Sequence, residues 1–232
     1  MLYVYRRKPS GGAKELAQAL TDLGVRARKV RAFNRLRLRR ATGVVNWGDD
    51  APPDLPHQLN SAPVVNKLHE LGVLTNAGVP TVTWSRTRVD GYLPRRSDHV
   101  GGADLLAPGR ADYWVQREEI SREYRLHIFK TGGEHVSIRA GRKQPYREDA
   151  HPWIRSHDAG WRLNYDGRGV TDKHRAVAKA ATAALGLDFG AVDVAERPDG
   201  TVFVLEVNRA PGLEGNTIQT YAHYIKQWYE EG

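Results

Sequence analysis

A chain of 232 residues with no cysteine can bury a core of its own, but it excludes disulfides, thiolate metal sites and a cysteine nucleophile. Its net charge of +8 is unevenly spread: residues 1–48 hold 12 Lys or Arg against two acids, a local +10, and the remainder carries −2. No apolar run approaches the roughly 20 residues of a membrane span, and in MLYVYRRKPSGG the basic residues follow a very short apolar run, the wrong order for a signal peptide, so a cytoplasmic protein without membrane association is expected.

LYVY reads as a first strand. Ser10 then caps a helix with Ala13, Leu16, Ala17, Leu20 and Leu23 on one face and Gly24 as its stop. ATGVVNWG reads as another strand, so the chain opens with a small α/β lobe. Arg6, Arg7 and Lys8 lie in the loop before the helix N-terminus, a place that can hold an anion or serve only as a connector. Val25–Arg40 contains no acid, which favours an anionic partner or, equally, a solvated surface balancing an acidic lobe. DDAPPDLPHQLNSAP reads as a linker. Val64, Leu68, Leu71 and Leu74 follow helical spacing, Gly78 ends that helix, and VPTVTW starts a strand. The pattern from Arg86 to Gly109 is weak; strands resume at YWVQRE, EYRLHIFK and GEHVSIRA, and residues 141–170 show little periodicity. Thr171 can cap the helix DKHRAVAKAATAALG, and NTIQTYAHYIKQWYEE is a final amphipathic helix.

Between those helices lies DFGAVDVAERPDGTVFVLEVNRAPGLEG, two strands joined by a PDG turn. In an antiparallel pair Asp193 can face Glu206 and Asn208. Two carboxylates and an amide oxygen make a hard-oxygen site suited to Mg²⁺, which prefers carboxylates plus substrate phosphates to an all-protein shell. The plainer alternative is a solvated hairpin with scattered acids.

The same stretch resembles the metal-binding end of the ATP-grasp superfamily, in which an acid on one strand and a Glu-x-Asn pair on the next hold magnesium on ATP. The resemblance covers roughly residues 60–220 and is closest to short bacteriophage-encoded ATP-grasp proteins and the ribosomal-protein glutamate ligase branch. It implies an α/β (α+β) ATP-grasp fold: a basic N-terminal lobe over residues 1–60, a small lid lobe over 61–113 and a metal-binding lobe over 114–232, with the nucleotide between antiparallel sheets. It implies ATP and two magnesium ions, with Asp193, Glu206 and Asn208 as metal ligands. In NKLHELGVLTNAGVPT, Lys67 would contact the α-phosphate. In LPRRSDHVGGADLL, Arg95 or Arg96 would be the second phosphate cation, and Gly101 and Gly102 would let a lid approach the phosphates. YWVQREEISREYRLHIF resembles the adenine hinge: Gln116 at the hinge, Glu123 on the ribose, Glu118 a neighbour, and Arg125 directed into the cleft. Arg142, Lys143 and Arg155 would meet the γ-phosphate or an acyl-phosphate; His157 is read as a polar loop residue rather than a base. Arg209 and Gly212, in RAPGLEG, would belong to the acceptor site, with the final helix as a wall.

The implied chemistry is ATP-dependent ligation of a carboxylate donor to an amine acceptor through an acyl-phosphate, with an acidic peptide or modified nucleic acid as possible partner of the basic lobe. A homodimer is common in such folds. Two other classes stay open: an ATP-grasp kinase acting on a hydroxyl, and a non-catalytic nucleic-acid binder using the Arg-rich lobe.

Overall fold

The computed structural model describes residues 1–50, 55, 57–98, 110–213 and 215–232. The chain opens with β1 (Leu2–Tyr5), α1 (Gly11–Asp22), β2 (Ala27–Val30), α2 (Arg35–Arg40), β3 (Gly43–Asn46) and β4 (Gln58–Leu59). These strands form a parallel sheet in the order β2-β1-β3-β4. The Ser10 hydroxyl accepts the Ala13 N–H, capping α1. Alternation along β1 sorts the core: Leu2 and Val4 face α1, and Tyr3 and Tyr5 pack with Phe33 on the opposite face.

Next come α3 (Lys67–Asn76), β5 (Trp84–Ser85), β6 (Tyr92–Arg95) and β7 (Tyr113–Gln116). The three strands form an antiparallel sheet, β5-β7-β6, on which α3 packs through Leu71. The rest is β8 (Arg122–Thr131), β9 (Glu134–Pro145), β10 (Trp161–Asn164), α4 (Asp172–Ala184), β11 (Phe189–Glu196), β12 (Val202–Asn208) and α5 (Thr217–Glu231). Its five strands pair antiparallel as β10-β9-β8-β11-β12. One face of this sheet, including Tyr124, Leu126, Ile128, Val192 and Val194, packs on Ala178 and Ala181 of α4 and on Leu185 just after it. The intervening residues Arg125, His127 and Asp193 therefore face the other way.

Several elements depart from the sequence reading. The stretch read as a linker contributes β4, and Asn60 just after it takes φ +57°. The acid-free run Val25–Arg40 contains both β2 and α2. β9 runs on to Pro145, and β10 occupies part of the weakly periodic stretch. Val64 lies outside α3 and is exposed; its helical spacing was coincidental. The final helix packs into the first lobe: Tyr221, Ala222 and Ile225 share one core with Leu16 and Leu20 of α1, Val45, Trp47, Phe129 and Phe189. Among the described residues no helix is long and apolar enough to cross a membrane.

Candidate active site

The β11–β12 hairpin turns through Pro198, Asp199 and Gly200, where φ of +81° is open to glycine at little cost. Its register sets Asp193 opposite Glu206 on one side, while β8 sets Arg125 opposite Asp193 on the other. Arg125 grips Asp193 with two hydrogen bonds, Nε to Oδ1 at 2.7 Å and a terminal nitrogen to Oδ2 at 2.8 Å. Lys143, from β9, donates to Asp193 Oδ2 at 3.2 Å and also pairs with Glu123. Lys67, the first residue of α3, pairs with Glu206, and the Asn208 amide donates to the other Glu206 oxygen at 2.9 Å. Three cations and three acids thus interlock on one face of the sheet.

Burial would raise the Asp193 carboxyl, but Lys143 and Arg125 outweigh it and hold the group well below the usual carboxylate range. Glu206 is likewise lowered, burial being overcome by Lys67. Lys143 rises because Asp193 and Glu123 outweigh burial, and Arg125 rises chiefly through Asp193. Glu123 goes the other way: its burial exceeds the pull of Lys143 and its pKa is raised.

The donor set suits a hard divalent cation, with carboxylate and amide groups at neighbouring positions. The Glu206 side chain retains 28 % of its exposure and Asn208 is half-buried, so this end is reachable from outside. Asp193 is 4 % exposed at its side chain and both its oxygens already accept hydrogen bonds, so it must share or release a cation to ligate a metal. Among the described residues no three His, Asp or Glu side chains converge into a ready-made metal cage.

The other expected residues are more scattered. Arg142, next to Lys143 on β9, lies across the ladder from Tyr124 and therefore shares the α4-side face rather than that of Asp193, against expectation; its Nε is buried without a hydrogen-bond partner. Arg155 donates to the Ile120 carbonyl at 2.7 Å and lies over the Trp161 ring. Its pKa is lowered by burial, with Glu123 opposing and Arg142 contributing. Gln116 ends β7 at an exposed position. Glu118 turns away to the hairpin, where it accepts from Arg197 at 2.8 Å. Arg95 ends β6, and Arg96 lies over Asp98 in an exposed ion pair at 3.0 Å. Arg209 donates to the Ala62 carbonyl at 2.9 Å, and Gly212 is exposed in the following loop. His157 is exposed in its loop. Gly101 and Gly102 lie outside the described residues.

Two residues that tie the site together were not anticipated. Glu70, on the buried side of α3, accepts the Val207 N–H at 2.9 Å, and burial pushes its pKa up to about 7. An acid one turn after Lys67, beside Leu71 and Leu74, was the available signal. Asn60 hooks the parallel sheet to β11: its side-chain oxygen accepts from Asp188 and Phe189 N–H at 2.8 and 3.0 Å, and its amide donates to the Phe189 carbonyl at 2.9 Å. Loops of the first lobe also meet the loop after β12. At Gly48, φ +72°, a Cβ would fall 2.7 Å from the Cβ of Ala210.

No family model and no curated protein matches the sequence. Solved structures do. The chain aligns over 99 % of its length with 98 % of the ATP-grasp ligase PsnB in complex with precursor peptide PsnA2 and AMPPNP, at 13 % identity and a TM-score of 0.65. It aligns over 97 % with 75 % of N5-carboxyaminoimidazole ribonucleotide synthetase from Thermotoga maritima, at 11 % identity and a TM-score of 0.63. It aligns over 100 % with 99 % of macrocyclase MdnC from Microcystis aeruginosa MRC bound to precursor peptide MdnA, at 10 % identity and a TM-score of 0.62. The chain has the ATP-grasp fold.

Proposed function

We propose that the chain is an ATP-dependent carboxylate–amine ligase. The observation that carries this reading is the in-register pair Asp193 and Glu206, with Asn208 two residues on, set against Lys67, Arg125 and Lys143 on an ATP-grasp fold. PsnB has been solved with AMPPNP and with magnesium and ADP, which supports nucleotide and metal in the same role here. Glu206, Asn208 and Asp193 would hold magnesium, two ions in the full reading, and the metal would neutralise charge on the polyphosphate.

The chain's own residues supply positioning and charge. Lys67 and Lys143 neutralise carboxylates here, and with magnesium held by those carboxylates both would be available to phosphate oxygens. Arg125 stays on Asp193 and fixes its orientation. Arg155 would steady the transferring phosphoryl group, with Arg95 and Arg96 on the lid side. The backbone after Gln116 would read adenine, and Glu123 would reach ribose once Lys143 leaves it. The donor carboxylate oxygen would attack the γ-phosphorus, releasing ADP. An amine held near Arg209 and Gly212 would then attack the acyl carbon, expelling phosphate and losing its extra proton to water. The structures of neighbours with bound precursor peptides support a peptide on the substrate side, and the +10 lobe supports an anionic one.

Calorimetry of ATP·Mg²⁺ with wild type and Glu206→Gln tests the site. Magnesium-dependent binding, weakened about tenfold or more in the variant, is expected. No binding by wild type would sink the ligase reading. In turnover assays, ADP release that requires both a carboxylate and an amine is expected; release with a hydroxyl substrate and no amine would mark a kinase.

A further inference from the structure

A groove of about 400 Å³ lies at the end of β2, lined by Pro9, Ser10, Lys14, Arg28, Lys29, Val30, Arg31 and Arg37. It contains five cations and no acid, and among the described residues none of the five forms an ion pair. Lys29 is lowered by partial burial and by Arg31 and Arg6, which together outweigh the opposing pull of Asp49, the mark of crowded cations. β2 is an edge strand, bonded to β1 on one side only. Beside the groove, α2 (RLRLRR) buries none of its residues, and Leu36 and Leu38 remain 55 % and 39 % exposed between arginines. Arg37 belongs to both surfaces.

We propose that this groove and the adjoining face of α2 bind an extended acidic peptide carrying aliphatic residues. The proposal rests on the ligase reading only for its biological sense, as the place where a peptide substrate or its flanking segment is held; the binding itself follows from the groove. Uncompensated cations call for an anion. Leu36 and Leu38 lie about 100° to either side of the groove-lining Arg37 on a helix that buries nothing, and they call for apolar groups on the same ligand. An edge strand offers backbone N–H and C=O groups to an extended chain. Its Arg and Lys side chains repel a second basic copy and admit an acidic strand. Nucleic acid fits less well. The groove lining contains no aromatic side chain on which bases could stack, and a phosphodiester backbone has no use for Leu36 and Leu38.

Fluorescence anisotropy with three probes tests this: a labelled peptide alternating Glu and Leu, a labelled all-Glu peptide, and a labelled DNA duplex of equal charge. The Glu/Leu peptide is expected to bind about tenfold tighter than either other probe, with affinity falling between about 50 and 200 mM salt. Arg28→Glu with Arg31→Glu is expected to lower that affinity about tenfold or more. Leu36→Ser with Leu38→Ser, at exposed positions where folding is not at stake, is expected to erase the preference for the Glu/Leu over the all-Glu peptide. DNA binding tighter than either peptide, no binding of any probe, or full Glu/Leu binding by the charge-reversed variant would overturn the proposal. A parallel ATP·Mg²⁺ titration of wild type separates the two readings. Peptide binding without nucleotide binding keeps the groove and removes the ligase; the reverse keeps the ligase and removes the groove.

Discussion

The central cluster and the groove beside β2 are both rich in Lys and Arg, yet they differ in one respect. Every cation of the cluster has an acid: Arg125 and Lys143 have Asp193, Lys143 has Glu123, and Lys67 has Glu206. No cation of the groove forms an ion pair among the described residues, and Asp49 acts on Lys29 only from beyond ion-pair distance. The cluster can therefore assemble out of water before any ligand arrives, because its charges cancel where solvent is excluded. The groove cannot be buried in the free protein; its charge stays solvated until an outside anion balances it. Counting basic residues along the chain puts the charge excess in the first 48 residues but says nothing of this division, since compensation is a property of neighbours in space.

Breaking the balance of the cluster gives the largest expected effect. Asp193→Ala strips Arg125 of its carboxylate and leaves Lys143 with Glu123 alone, and a loss of about 3–5 kcal/mol is expected in urea unfolding. A loss below about 1 kcal/mol would mean that water already screens the cluster.

The next effect depends on pH. Glu70 is held neutral in the fold up to about pH 7, whereas in the unfolded chain it ionises near 4.5. The fold gains from this fully below pH 4.5 and loses that gain as pH rises to about 7. At about 1.4 kcal/mol per pH unit the total is about 3 kcal/mol. Glu70→Gln keeps an acceptor for the Val207 N–H and removes the titration. Its stability is expected to fall less than that of wild type between pH 4.5 and 7; parallel profiles would rule out Glu70 as the source.

A smaller effect is expected at the join between lobes. Asn60→Gly suits the positive φ but deletes three side-chain hydrogen bonds, leaving the Asp188 and Phe189 N–H groups unpaired. A loss of about 1–3 kcal/mol is expected. The smallest effect belongs to the groove: Arg28→Glu with Arg31→Glu is expected to leave the unfolding midpoint unchanged at high salt and to raise it slightly at low salt, by relieving repulsion. A large loss there would show that the groove is part of the folded framework after all.

How much of this the residues announce depends on the range of the interaction. The β11–β12 hairpin was readable because its alternation, its turn and its acids are all local. So was α1, with its Ser10 cap and Gly24 stop. β4 was not readable: two residues leave no periodic pattern, and they become a strand only because β3 is there to pair with. The partnership of Lys67 with Glu206 spans 139 positions, and no local pattern encodes it. Periodicity showed that α5 buries one face; it held no information about what that face would meet.

What it meets bears on how the chain is made. The lobe around α1 is completed by a helix synthesised long after it, since Tyr221, Ala222 and Ile225 cover the apolar side of α1. Until residue 217 and beyond have been synthesised, Leu16 and Leu20 have no permanent cover from that side. Such long-range closure raises the contact order and slows final assembly. Until then the exposed apolar side of α1 is a surface at which the nascent lobe can self-associate.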